Sequence, residues 1–339
     1  MLQSFQKSIT DKGCCLAMSE WAVVGGGSLG LLLAGKLAAA GCRVVLWTRT
    51  SEQAERIEAD GIAIEEMSGV VSQPVRLRAI PISSVKGIHE GPILLTVKQT
   101  ALDSELYSFL RLATGGAGRI YLFQNGVGHV EKLARALPGT TLTPAITTEG
   151  ALRLGPSSVR HTGKGAIWFG VVGAAELLPM PMTTGIDSEN ALFADSSVRN
   201  VAEMMKQAGF TVFLSNELEK RVLRKLLINS VINPLTALLR IPNGQLLKTP
   251  ERLSLARELF DETAKVLERS GLPDAANAWD EVAAVCEATA TNLSSMLQDV
   301  QAGRATEIDA INGAVCRLAE RNGLEAPLNA AVTALIKAL

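Results

Sequence analysis

Trp21-Ala-Val-Val-Gly-Gly-Gly-Ser-Leu-Gly30, continuing into Leu31-Leu-Leu-Ala-Gly-Lys-Leu-Ala-Ala-Ala40, decides the fold of this chain. The apolar run 21–24 reads as a short buried strand, the glycines as a turn, and 31–40 as a helix that Gly41 stops. Cys42-Arg-Val-Val-Leu-Trp47 is the next strand. Strand, turn, helix, strand is a βαβ unit and requires a parallel sheet. Within it, Gly25-x-Gly27-x-x-Gly30 has the spacing of a dinucleotide-binding turn. Gly25 permits the tight bend, Gly27 lets a pyrophosphate approach the backbone, and Gly30 lets helix and strand pack closely. Ser28, Leu29 and Gly30 open the helix, whose free N–H groups and positive dipole end favour phosphate. The bland alternative is a tight turn in any α/β protein; the strands on both sides favour the cofactor.

The end of the second strand selects the cofactor. An NAD site expects an acidic residue there for the ribose hydroxyls. This chain has Thr48-Arg49-Thr50 and no acid before Glu52. A guanidinium pairs with a 2′-phosphate, which a carboxylate would repel. Arg49 therefore favours NADP(H), against the alternative of a solvated surface arginine.

Outward from this unit, residues 51–60 look helical, and Ile62–Glu66 with Val75–Ala79 suggest a strand pair. Strands are expected at Pro92–Val97, Arg119–Phe123, Thr140–Ile146, Gly165–Val172 and Phe210–Leu214. A loop is expected over 173–188 and a helix over 191–208. From about Glu217 strand patterns almost vanish, and helices are expected over 217–239, 250–270, 274–302 and 304–321. The 339 residues, at about 150 per domain, suit two domains. The expected organisation is a Rossmann-type α/β domain over 20–215 and an all-α domain over 216–339, behind an N-terminal extension 1–19 in which Met18 is an alternative start.

Composition excludes several classes of function. Thirty-three Lys+Arg against 34 Asp+Glu give a net charge of −1, which removes the electrostatic case for nucleic acid or an anionic membrane as main partner. Five cysteines without a C-x-x-C pair suit a reducing cytoplasm, and three dispersed histidines speak against a metal site. No apolar run reaches the roughly 18 residues of a membrane span. Apolar helices in the second half can pack within one chain or in a homodimer.

The second half holds Arg224-Lys-Leu-Leu-Ile-Asn-Ser-Val-Ile-Asn-Pro-Leu-Thr236. Lys225, Asn229 and Asn233 recur at i, i+4 and i+8, a polar stripe on one helix face amid apolar neighbours. Burying such groups unpaired costs about 1–3 kcal/mol each. A lysine in this setting has a lowered pKa and serves as a proton donor. The alternative is a lysine snorkelling to water beside asparagines bonded to backbone.

Taken together, Gly-Gly-Gly-Ser-Leu-Gly at 25–30, Thr-Val-Lys-Gln at 96–99, Phe-Gln-Asn-Gly-Val-Gly at 123–128, the string 224–237, Pro-Asn-Gly at 242–244, Ser-Ser-Met-Leu-Gln-Asp at 294–299 and Thr-Glu-Ile-Asp-Ala-Ile-Asn-Gly at 306–313 resemble the ketopantoate reductases. The resemblance runs from about residue 20 to 330 and is weaker over 147–164. It implies NADPH-dependent reduction of ketopantoate, a small 2-oxo acid, to (R)-pantoate on the way to coenzyme A, in a cleft between a Rossmann-type and a helical domain. Lys225 then matches the lysine that protonates the ketone oxygen, and Glu307 the acid that assists catalysis and binds the substrate hydroxyl. Asn125 matches the asparagine where cofactor and substrate meet. Asn229, Asn233, Asn243 and Ser295 match substrate contacts, the last to the carboxylate. Lys98 and Arg49 match residues of the cofactor site. From the residues alone, Ser294 or Ser295 also suits a helix cap and Glu307 a partner for Arg304. A reductase of another 2-oxo acid, or a non-catalytic NADP-binding sensor, are the competing functions.

Overall fold

The structure, a computed structural model, describes residues 19–170 and 195–339. The extension before residue 19 with Met18, the loop expected over 173–188, and the first residues of the helix expected at 191 lie outside them.

Eleven described strands follow in chain order: β1 (Trp21–Val24), β2 (Val44–Thr48), β3 (Ala63–Glu65), β4 (Arg78–Pro81), β5 (Ile93–Leu95), β6 (Arg119–Leu122), β7 (Thr141–Thr147), β8 (Gly150–Gly155), β9 (Ser158–Gly163), β10 (Ile167–Gly170) and β11 (Val212–Ser215). Eight of them form one sheet in the order β11-β10-β7-β6-β5-β1-β2-β4. Every pair is parallel except β10 with β7. The helices of this half are α1 (Ser28–Ala39), α2 (Ser51–Asp60), α3 (Ser104–Thr114), α4 (His129–Ala136) and α5 (Ser196–Gln207).

Side-chain alternation explains how the sheet is sandwiched. Trp21 and Val23 of β1 join a core with the α1 leucines and with Val198 and Val201 of α5. Ala22 and Val24 face the other way, against Leu106, Phe109 and Leu110 of α3. A strand buried on both faces must be apolar throughout, which is why β1 shows no polar alternation in the sequence.

From Leu218 the described regular elements are helical: α6 (Leu218–Leu239), α7 (Pro250–Arg269), α8 (Trp279–Ala288), α9 (Ser295–Gln301), α10 (Asn312–Arg321) and α11 (Pro327–Lys337), joined by turns and short 3₁₀ segments. They enclose a separate apolar core. α6 is the one helix, among the described residues, long and apolar enough to cross a membrane by length and composition. Here 61% of its most apolar window is buried within the fold.

Pro234 lies inside α6. Proline in a helix interior removes one N–H and costs about 3 kcal/mol. The Ser230 carbonyl that this N–H would have met accepts instead from Nδ2 of fully buried Asn312, at 2.8 Å. Asn312 also donates to Asn329, which bonds Thr263 and Glu262. A break in helical bonding thus ties α6 to α10, α11 and α7.

Three expectations are corrected. The strands near 62–66 and 75–79 do not form one ladder: β4 pairs with β2 in the main sheet, β3 pairs with β9, and one isolated bridge, Ile62 with Val75, links the two stretches. The small sheet β3-β9-β8 was not anticipated, because the polar hairpin 150–163 has little apolar alternation. The helix expected over 274–302 is interrupted between Thr289 and Ser294, and the one over 304–321 begins only at Asn312.

Candidate active site

The strand ends, the small sheet and the helical half enclose one open cleft of about 2420 Å³. Gly25, Gly27, Ser28 and Leu29 line one end of it. Gly25 has φ +109°, open only to glycine, and a Cβ on Gly30 would stand 1.9 Å from the Gly25 carbonyl oxygen. A Cβ on Gly27 would meet nothing within 4 Å, so its backbone faces open space. Gly27 caps α1 without a side-chain bond, and no acid lies in the first turn. Open space at a bare helix N-terminus is what a diphosphate needs, so these residues fit a dinucleotide.

The β8–β9 hairpin is clasped to this turn. Arg153 N–H donates to Ser28 Oγ at 3.0 Å, and Gln53 Nε2 donates to the carbonyls of Gly26 and Pro156 at 2.8 and 2.9 Å. Arg49 is exposed and lines the cleft beyond the end of β2, with no ion-pair partner among the described residues.

Toward the helical half, Lys225 Nζ donates to Asn125 Oδ1 at 2.6 Å and to the Thr147 carbonyl at 2.7 Å. Burial pushes Lys225 down to about 8, with Glu307 opposing. Asn125 Nδ2 reaches Glu307 Oε2 at 3.5 Å, and the Gln99 N–H donates to Glu307 Oε1 at 3.0 Å. Burial raises the Glu307 pKa, against the pull of the Gln99 N–H, Lys98 and Asn125. Lysine, amide and carboxyl therefore form one connected series at the cleft wall.

Asn229 and Asn233 line the same cleft as Lys225. Neither side chain has a hydrogen-bond partner among the described residues, so the asparagines are not tied to backbone as the snorkelling alternative assumed. Asn243 is buried beside them: its Nδ2 donates to Thr289 Oγ1 at 2.9 Å and its Oδ1 has no partner. Ser294 is the cap of α9, accepting from Leu297 N–H at 3.1 Å, which leaves Ser295 exposed at the cleft. Arg304 pairs with Asp299 at 3.2 Å, so Glu307 is not its partner. Lys98 also pairs with Asp299, bridging the sheet half to α9.

Several contributors escaped the sequence reading. The Thr147 carbonyl has no side-chain signature. Asp299 and Gln99 stood inside quoted strings without a role. His161 donates to Glu149 at 2.6 Å, a bond that holds its pKa above the ordinary value against burial, and so pins the turn after β7.

The profile described as "Ketopantoate reductase PanE/ApbA" matches residues 21–174, and its C-terminal companion matches 217–339. The chain belongs to the ketopantoate reductase family. The 2-dehydropantoate 2-reductase of Bacillus subtilis strain 168 is 34% identical over 90% of this chain and 92% of its own length. That of Vibrio cholerae is 32% identical over 94% and 96%. The crystal structure of a probable 2-dehydropantoate 2-reductase from Bacillus subtilis superposes with a TM-score of 0.70 at 33% identity, covering 94% of this chain and 99% of that one. The family architecture, a parallel sheet half followed by a helical half, is that of this fold.

Proposed function

We propose that this ketopantoate reductase family member reduces ketopantoate to pantoate with NADPH, with Lys225 as the proton donor. The observation that carries the reading is Lys225 Nζ, its ammonium pushed toward neutrality by burial and aimed by Asn125 and the Thr147 carbonyl at a cleft whose far end is the glycine-rich turn. When bound, reduced nicotinamide supplies hydride to the carbonyl carbon. Gly25, Gly27 and Gly30 with the α1 N-terminus hold the diphosphate, and Arg49 the 2′-phosphate.

Negative charge builds on the carbonyl oxygen as its carbon is reduced. Lys225 stabilises that charge and transfers a proton to the oxygen. A pKa of about 8 suits this step near neutral pH, where the lysine is still charged yet gives up its proton readily. Ser295 at the start of α9 meets the substrate carboxylate, and Glu307 accepts from its primary hydroxyl. Asn229, Asn233 and Asn243 present amides along the same wall.

The test follows the absorbance of reduced nicotinamide with ketopantoate, comparing NADPH and NADH as donors. Rapid oxidation of NADPH, with NADH much slower, is expected. Tight NADPH binding without turnover of ketopantoate would overturn the substrate assignment.

A further inference from the structure

Two buried side chains next to the site have no part in the proton transfer, Gln99 and His129. Gln99 follows β5 and its backbone N–H already holds Glu307. Its side-chain Nε2 lies 2.6 Å from the Asn125 carbonyl, 3.4 Å from the Val127 carbonyl and 3.1 Å from His129 Nδ1. The loop is also held by Gln124 Nε2, which donates to the Leu95 carbonyl at 3.3 Å, and from the helical half by the Ala310 carbonyl, which accepts from Val127 N–H at 3.1 Å. Gly126 sits so close that a Cβ there would stand 2.3 Å from the same oxygen.

The chemistry of the amide makes its orientation matter. With Nε2 toward the loop, its two hydrogens serve the two nearest acceptors, the Asn125 carbonyl and His129 Nδ1, and the Val127 carbonyl at 3.4 Å stands at the edge of reach. Flipped, its oxygen would oppose the Asn125 carbonyl, which would lose this donor. His129 decides between the two orientations. Its Nδ1 accepts from Gln99 only when that nitrogen carries no proton, which places the ring proton on Nε2. Burial pushes His129 down to about 4, so at neutral pH the ring carries one proton and has one nitrogen free to accept. The charged group acting on His129 is Lys132 of its own helix, while Gln99, facing it from the loop after β5, is neutral.

We propose that Gln99, with its amide oriented by His129, is the positioning residue that fixes Asn125 between Lys225 and Glu307. It binds neither reactant. It clamps the Asn125 backbone to the same short segment whose N–H holds Glu307, so one residue sets both ends of the series. The proposal rests on Lys225 being the working acid, but its geometry is testable without turnover. Lys225 is faced by the charge of Glu307 and by the neutral Asn125 amide and Thr147 carbonyl. Loss of the Asn125 acceptor would disfavour the ammonium and lower the Lys225 titration midpoint.

The experiment measures acetylation of Lys225 by acetic anhydride against pH, read by mass spectrometry, for wild type, Gln99→Leu, His129→Leu and His129→Asn. The kcat–pH profile and the NADPH dissociation constant are measured on the same proteins. Gln99→Leu and His129→Leu are expected to lower the labelling midpoint by about half a unit or more. They should reduce kcat about tenfold, while NADPH affinity stays within about twofold. His129→Asn, whose amide oxygen can take the place of Nδ1, is expected to restore both values. Identical midpoints in all four proteins would overturn the proposal, as would a His129→Asn variant no better than His129→Leu. If Gln99→Leu does not fold, the two His129 variants decide alone. A wild type inactive on ketopantoate would sink the functional reading and leave the labelling result standing.

Discussion

The glycine-rich turn is built from six consecutive residues, 25–30, and shaped by what glycine lacks. The surroundings of Lys225 come from five separated places, α6, the loop after β6, the end of β7, the loop after β5 and the segment before α10, which supply three side chains, one carbonyl and one backbone N–H. The first region needs only a strand and a helix in the right order. The second exists only when both halves of the molecule are in register. A local device is expected to fail by steric overlap, and an assembled one by loss of alignment or charge.

The sharpest test of the contrast is Lys225→Ala. It should lower kcat by about 10² or more while NADPH still binds at the turn, since general acid assistance is of that size. Near-normal turnover would show that the assembled region is not where the proton comes from. Gly30→Ala probes the other region. Its Cβ would overlap the Gly25 carbonyl at 1.9 Å, so overpacking should cost about 1–3 kcal/mol in urea unfolding. Gly27→Ala, with open space around it, should leave stability unchanged and weaken NADPH binding. Equal stability losses in the two alanine variants would break the reading of the turn.

The pH profile separates the regions without mutation. With charged Lys225 as the proposed proton donor, kcat/KM should be flat below about 8 and fall about tenfold per unit above it, while NADPH affinity stays level. Stability has the opposite sign. Between about 8 and the ordinary 10.5 the unfolded chain holds a proton at Lys225 that the folded one has lost, so this group makes the fold gain stability as pH rises. The smallest effect belongs to Arg49→Ala. An exposed guanidinium contributes about 1 kcal/mol, so NADPH binding should weaken about fivefold and NADH binding hardly at all. Equal weakening of both would return Arg49 to a surface charge.

Much of the fold was legible because its signals are local. Both faces of β1 are buried, so the run 21–24 is apolar without alternation, and the following leucines mark the helix. The i, i+4, i+8 spacing of Lys225, Asn229 and Asn233 placed three residues on one face, and all three line the cleft. The hairpin 150–163 was missed because its strands are polar and half exposed. The interruption at 289–294 was missed because Ala-Thr-Asn-Leu carries no proline or glycine to announce it.

By itself the sequence determined that this is an α/β chain with a dinucleotide turn, a helical second half and a lysine stripe, because strand order, glycine spacing and helical period are properties of neighbouring residues. Only the tertiary structure decided which groups touch that lysine. The Thr147 carbonyl has no residue type to betray it. Asp299 took Arg304 and Lys98, leaving Glu307 to the Gln99 N–H and Asn125. Asn312 reached across to the carbonyl that Pro234 had left without a donor. Each is a partnership between distant segments, settled by which buried polar group had a donor or acceptor within reach.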